Sequence, residues 1–248
     1  MEGYCRMEGP RFFCTPLGEG DTTIRLVGQD AKHIGKVLRL KPGDSISVSD
    51  GQSRFYNVEL VTVSEREVTG SVKKVVEFKQ ERFTLKVFQG IPKGRKMNLI
   101  VEKLTELGAS EIVPVVMERS VPEFKRGQGG ARTARWRQIA LEAAKQSRRK
   151  TVPEVVDIID WDDALERLGQ CAAVLVPYEE ERTTRLRDLR FVTNGEIALV
   201  IGPEGGFEAA EVAALRAAGA MTFTMGEIIL RTETAAVAAA ALVMDRLR

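Results

Sequence analysis

The sequence predicts an α/β protein in two parts, a small β-barrel at the N-terminus followed by a larger domain built on a mainly parallel sheet. Three observations carry this. Residues 11–76 hold short Val-, Ile- and Thr-rich segments broken at intervals by turn residues. From residue 83 onward strand-like and helix-like segments alternate. Between them, residues 77–82 are mostly polar and read as a linker. The predicted boundaries are therefore 1–76 and 83–248.

In the first part, strands are predicted at 22–27 (TTIRLV), 45–50 (SISVSD), 54–63 (RFYNVELVTV) and 67–76 (EVTGSVKKVV). Turns fall at Lys41-Pro42-Gly43-Asp44 and at Asp50-Gly51. A short helix interrupts them, with Asp30 as its expected N-cap and Ile34, Val37 and Leu38 on one face.

In the second part, strands are predicted at 83–90, 111–117, 171–177, 196–201 and 220–225. A helix over 95–107 aligns Met97, Ile100, Val101, Leu104 and Leu107 in one stripe, and Gly108 suits its C′ position. A helix over 134–147 groups Trp136, Ile139, Ala140 and Ala143, so Trp136 reads as core. A helix over 208–218 stops at Gly219, and an alanine-rich helix covers 232–247.

Bulk properties exclude several classes. The chain has 248 residues and a formal net charge of +2, so its overall balance says little about partners. Its three cysteines, Cys5, Cys14 and Cys171, form no CxxC pair, which argues against a disulfide framework or a structural zinc site. The start lacks an apolar signal-peptide core, with Met1 and Met7 both possible starts, and no apolar run is long enough for a membrane span. A reducing, cytoplasmic setting is expected. His33 is the sole histidine, which removes HExxH and multi-histidine metal sites; it reads as packing or capping its helix. No metal is expected. GxxxxGK[ST], GxGxxG and GxSxG are also missing.

Two segments carry chemistry. The first, Gly202-Pro203-Glu204-Gly205-Gly206-Phe207, follows a buried strand and precedes a helix. Ligands of α/β sheets bind at the carboxyl ends of strands, and glycine lets a ligand approach the backbone. Without a ligand, the segment reads as a strand–helix turn that needs φ > 0. The second segment runs from Met225 and Gly226 through Glu227, Ile228, Ile229, Leu230 and Arg231 into Thr232-Glu233-Thr234-Ala235, with Thr232 or Thr234 as the expected N-cap of the last helix. Its isoleucines could simply pack beneath the loop. Arg231 opposes the helix dipole, which suggests a cation held for an anion.

Together, in this order and spacing, these segments resemble the SPOUT methyltransferases, and within them the ribosomal RNA small subunit methyltransferase E family. Pro92-Lys93-Gly94, the segment from Lys103 to Gly108, Glu118-Arg119-Ser120 and the stretch from His33 to Arg39 extend the resemblance over nearly the whole chain. Glu208 departs from it where relatives carry a serine-like cap, which should weaken the following helix start. Gly127-Gln128-Gly129-Gly130 looks local to this protein.

The resemblance implies a SPOUT domain with a deep trefoil knot, threaded by about 195–235, and a PUA-like barrel that grips RNA. It implies S-adenosylmethionine bent between three loops: after Val176 and Pro177, over Gly202, Pro203, Glu204, Gly205 and Gly206, and over Met225, Gly226, Ile228 and Leu230. Thr234 and Ala235 complete the implied cofactor set. Backbone groups of Gly202, Met225, Ile228 and Leu230 would read adenine and ribose. It also implies a homodimer, with the 208–218 helix and the last helix near the interface.

For RNA, residues 118–150 contain ten Lys or Arg against three Glu. Such a run can be a solvated face; its single sign and glycine-rich neighbours favour a phosphate-binding surface. The candidate RNA contacts are Arg11, Arg25, Lys36, Arg39, Lys93, Arg119, Arg148 and Arg149. The implied reaction is methylation of uridine N3 in small-subunit (16S) ribosomal RNA, free or assembled. Arg231 is the candidate for stabilising charge, and Glu204 or Glu233 for handling the proton. Alternatives are a SPOUT enzyme acting on another base or a ribose 2′-hydroxyl, a non-catalytic RNA-binding assembly protein, and a small-molecule nucleotide enzyme.

Overall fold

The computed structural model describes residues 9–18, 20–79, 81–120 and 129–248. The chain separates into two compact units, one made of 1–80 with 145–151 and the other of 81–144 with 152–248. Residues 145–151, expected with the second domain, thus group with the first.

The first unit is one five-stranded sheet in the order β1-β3-β4-β5-β2, formed by β1 (Arg11–Phe13), β2 (Thr23–Val27), β3 (Ser45–Ser49), β4 (Arg54–Val63) and β5 (Glu67–Glu77). All pairs are antiparallel except β1–β3. Register shifts between Asn57 and Val58 and between Leu60 and Thr62 mark bulges that bend the long β4–β5 ribbon. The alternate residues Ile46, Val48, Tyr56, Val58 and Leu60 join Phe12, Ile24, Leu26 and Ile34 in the core.

The short helix of this unit differs from the sequence expectation. It comprises α1 (Gln29–Lys32), capped by Gly28, and a π-turn over His33–Val37. Asp30 lies inside the first turn, and its carboxylate accepts from Lys145 Nζ at 2.5 Å. The π-turn widens the helix, so Ile34 is buried but Val37 is 70% exposed rather than on the packed face. His33 sits edge-on to the Phe12 ring. Burial, reinforced by Asp50, pushes the Cys14 thiol up to about 11, so it behaves as a small packing residue.

The second unit holds a six-stranded sheet whose pairings are all parallel. Its order is β11-β9-β10-β6-β7-β8, from β6 (Phe83–Gly90), β7 (Glu111–Val115), β8 (Glu154–Val155), β9 (Ala173–Pro177), β10 (Gly195–Ile201) and β11 (Met221–Phe223). Strand alternation sends side chains to two cores. Leu85, Val87, Ile197, Leu199 and Ile201 pack against α2 (Lys96–Leu107), α3 (Gly130–Gln146) and α6 (Thr232–Leu247). Phe88, Val113, Val115, Val174, Val176, Ala198 and Val200 pack against α4 (Trp161–Leu168) and α5 (Ala209–Ala217). Trp136 is buried in the first of these cores.

The α2 stripe is buried at Met97, Ile100, Val101 and Leu104, and Gly108 ends the helix in the left-handed region. The alanines of α6 let it seat closely beside α2 and over β6 and β10. No element is predicted from the sequence at β1, at the helical turn Leu186–Asp188, at the two-residue β8 or at the amphipathic α4. The last is announced by Asp160, whose carboxylate accepts from Asp163 N at 3.0 Å. Among the described residues no helix is long and apolar enough to cross a membrane.

Candidate active site

Three adjacent strands, β11, β9 and β10, end on one edge of the second unit's sheet, and the loops leaving them enclose a cavity of about 290 Å³. The carboxyl ends of parallel strands are the general binding locus of such sheets. Each wall is held by its own set of contacts.

The loop after β9 is stitched to β11. Tyr178 N donates to Phe223 O at 3.0 Å and Thr224 N to Thr184 O at 2.8 Å. Inside this loop Glu181 accepts from Thr183 N at 3.1 Å, Thr184 N at 3.0 Å and Thr222 Oγ1 at 3.2 Å. The backbone donors of Thr184 and Thr183 dominate and hold the Glu181 carboxyl down at about 2.

The turn after β10 is pinned from both sides. Gly90, at the end of β6, lies so close to it that a Cβ there would stand 2.6 Å from Pro203 Cδ. Gly206 turns with φ +72, a backbone conformation that L side chains rarely adopt, so glycine is required there. Arg119 fixes the far end, donating from Nη1 to Gly205 O and from Nε to Glu208 Oε1, each at 2.7 Å. Glu204 points to α2, accepting from Lys93 N at 3.0 and 3.1 Å and from Lys96 Nζ at 2.9 Å. Burial works against its charged form, but the Lys96 and Lys93 donors outweigh this and hold the Glu204 carboxyl below the usual range. Glu208 starts α5 with its N–H given to Glu211 Oε2 at 2.8 Å, so Glu211 secures the helix start that Glu208 was expected to weaken.

The segment after β11 forms the third wall. Thr224 Oγ1 accepts from Gly226 N at 3.1 Å. Ile228 and Ile229 are 81% and 84% exposed, and both border the cavity. Large apolar side chains displayed this way mark a surface for an apolar partner rather than loop packing. Arg231, not Thr232 or Thr234, is the N-cap residue of α6. It is exposed and makes no ion pair among the described residues. The Thr232 hydroxyl is turned away from the capping role because it donates to Gly202 O at 2.6 Å.

Of the sequence-predicted residues, Pro177, Gly202, Pro203, Glu204, Gly206, Met225, Gly226, Ile228, Leu230, Arg231 and Ala235 line the cavity. Gly205 lies behind the turn on Arg119, Thr234 faces solvent, and Val176 is buried in the core beneath. Glu233 is set back, 3.6 Å from Lys96 Nζ. The cavity also takes in Tyr178, Glu179, Arg182, Ile201, Phe207, Glu227, Ile229 and Thr232. Phe207, Glu227, Ile229 and Thr232 belong to the two singled-out segments and Ile201 adjoins the first, whereas Tyr178, Glu179 and Arg182 carried only nearness to Pro177 as a sequence signal.

The candidate RNA contacts divide. In the first unit Arg11 turns inward, donating to the carbonyls of Arg148 and Arg149 and lying 4.5 Å over the Phe55 ring. Burial, then the Arg148 charge, pulls its pKa down. Arg25 pairs with Glu67, and Lys36 with Glu65 at 2.9 Å. Arg39 and Arg148 are exposed and hold left-handed backbone with φ 54 and 55, a conformation side chains other than glycine seldom adopt. Arg149 is half-buried. In the second unit Arg119 is committed as described, while Lys93 is exposed. Lys125 and Arg126 of the basic run, with Gly127 and Gln128, lie outside the described residues.

A family model described as an RNA methyltransferase domain matches residues 79–244, and one described as an RNA methyltransferase PUA domain matches 26–73. Fold and matches thus define an α/β RNA methyltransferase domain joined to a PUA-like domain. The ribosomal RNA small subunit methyltransferase E of Bacillus subtilis is 33% identical over 86% of each chain. That of Mycobacterium tuberculosis is 30% identical over 92% of this chain and 88% of its own. A crystal structure of the Neisseria gonorrhoeae enzyme bound to S-adenosyl methionine superposes with a TM-score of 0.85 at 29% identity, covering 96% of this chain and 98% of the other. The chain belongs to the ribosomal RNA small subunit methyltransferase E family.

Proposed function

We propose that this protein transfers the methyl group of S-adenosylmethionine to N3 of a uridine in small-subunit ribosomal RNA, acting in the cytoplasm. The observation that carries the reading is that the 202–206 turn and the 225–231 segment, far apart in sequence, wall one cavity. The names of the relatives supply the RNA class.

The cavity suits the cofactor. Its volume is near the lower end for small-molecule sites. Met225, Ile228, Ile229 and Leu230 offer an apolar bed for a planar ring, and Gly202 to Gly206 offer backbone to polar edges. Glu179 and Arg182, of opposite charge on one loop, suit an ammonium and a carboxylate. When bound, the cofactor supplies an electrophilic methyl on a sulfonium sulfur.

The protein's own task is to orient the uracil and manage its charge. The N3–H is a weak acid, and as its proton leaves, negative charge spreads to the flanking carbonyls. Arg231, a cation on the cavity wall with no ion pair among the described residues, stabilises that charge. Of the two candidate carboxylates, Glu204 has its oxygens taken by Lys93 and Lys96, which makes it a weak base and a brace for the turn. Proton handling is assigned to Glu233, set back from the cavity, whose buried Oε2 makes no hydrogen bond among the described residues and lies 3.6 Å from Lys96 Nζ. Arg39 and Arg148 on the first unit and Lys93 on the second are the phosphate contacts. A homodimer through α5 and α6, and a knot threaded by 195–235, complete the reading; the return of α6 to β6 and β10 supports the latter.

The test is incubation of small subunits and naked ribosomal RNA with methyl-labelled cofactor, followed by nucleoside analysis. Label in 3-methyluridine is expected. Label on a ribose or another base would replace the N3 assignment, and saturable cofactor binding without transfer to either RNA would leave a binding protein.

A further inference from the structure

Gln89, the second-last residue of β6, is fully buried, yet it is polar and lies outside the cavity. Its amide nitrogen donates to Gly90 O at 2.8 Å and to Thr232 Oγ1 at 3.0 Å. Thr232, 5% exposed, donates in turn to Gly202 O at 2.6 Å. The direction of this chain is fixed. A hydroxyl has one proton, and that of Thr232 goes to Gly202, so its lone pair must receive the Gln89 amide. Gln89 Oε1 is buried with no hydrogen-bond partner among the described residues. An apolar residue of similar size would fill the position without stranding an acceptor.

We infer that Gln89 and Thr232 are positioning residues that lock the 202–206 turn to the start of α6, and so set the spacing of the two walls between which the cofactor is held. The inference rests on the cofactor reading above. It assigns a function to a side chain 143 residues from its partner and outside every motif the sequence displayed. The relay acts on the shape of the cavity and touches no reacting atom. Its loss should therefore raise KM and Kd for the cofactor by a larger factor than it lowers kcat at saturation.

The variants are T232V, T232S and Q89M, and the probes are S-adenosylmethionine and S-adenosylhomocysteine in titration calorimetry, with steady-state kinetics on small subunits. T232V keeps the volume and removes the hydroxyl, leaving Gly202 O without that donor and one of the two Gln89 amide protons without an acceptor. It should weaken both ligands by about tenfold or more, the scale of one buried hydrogen bond. T232S should bind within about threefold of wild type. Q89M should lose affinity like T232V with little loss of melting temperature, since it also removes the orphaned acceptor. Wild-type binding with T232V and Q89M binding equally well would overturn the relay alone. A rise in KM not rescued by T232S, or an equal fall in kcat, would also overturn it. Absence of wild-type binding would overturn the cofactor reading and the relay with it.

Discussion

Lys96 Nζ lies 2.9 Å from Glu204 Oε1, tying the first turn of α2 to the turn that follows β10. The pair reinforces both charged forms. The Glu204 hydrogen bond holds Lys96 above its ordinary 10.5, and Glu204 is held below its ordinary 4.5. Glu204 therefore contributes above about 4.5 and is lost as pH falls through its lowered value. Lys96 contributes below 10.5 and is lost as pH rises through its raised value. Cofactor affinity should be insensitive to this pair across neutral pH and fall on the acid side. In E204Q it should be weaker by about three- to tenfold, with the acid limb diminished. Calorimetry between pH 4 and 9 checks this. An unaltered acid limb in E204Q would remove the pair from support of the cavity.

Arg231 touches the cavity and makes no ion pair among the described residues, so its removal should cost chemistry and not shape. Arg231→Ala is expected to bind S-adenosylmethionine within about threefold of wild type and to lower kcat by about 10²-fold or more, the scale of losing one preorganised donor. Arg231→Lys should recover little of it, because a point charge does not reproduce a planar fork. Single-turnover methyl transfer measures it. Turnover near wild type in Arg231→Ala would take the residue out of the mechanism.

These two residues show what a sequence discloses. Arg231 stood out locally, a cation where the helix dipole disfavours one, and the 3.6-residue stripe from Met97 to Leu104 fixed the face that α2 buries. Both are properties of neighbours in the chain. Glu204 looked like a base because its tie to Lys96 crosses 108 residues, and Gln89 looked like any strand residue. Thr232 read as a cap because capping is the local use of threonine, and a tertiary acceptor, Gly202 O, claimed its proton instead. Val37 failed for a related reason, since one π-turn rotates every later side chain of its helix. The α4 cap at Asp160 was legible and passed over.

Glu181 organises the loop after β9 through Thr183, Thr184 and Thr222. With its carboxyl at about 2, its contribution is complete above about 4.5 and fades as pH falls toward 2. Glu181→Ala should leave the Thr183 and Thr184 amides without an acceptor, speed their hydrogen exchange about tenfold or more, and weaken cofactor binding through the loosened wall. In wild type the same amides should lose protection between about pH 4.5 and 2. Protection unchanged in the variant would show that the loop is held by its pairing to β11 alone.

Gly90 tests whether the end of β6 is a fixed anvil for the turn after β10. A Cβ there would meet Pro203 Cδ at 2.6 Å, Pro203 N at 2.7 Å and Met117 Sδ at 2.8 Å. Met117 can rotate, but a proline ring and its backbone cannot yield without carrying the turn with them. Gly90→Ala should therefore destabilise the protein by about 1–3 kcal/mol, the cost of overpacking a filled site. It should also weaken cofactor binding, because the turn that moves is a cavity wall. Gly130→Ala is the control. Nothing lies within 4 Å of a Cβ there, and the position opens α3, so stability should change by about 0.5 kcal/mol or less. Denaturant melts of the two variants decide the matter. Equal stability would mean that Pro203 is free to retreat from Gly90, and the turn would then owe its placement to Glu204 and Thr232.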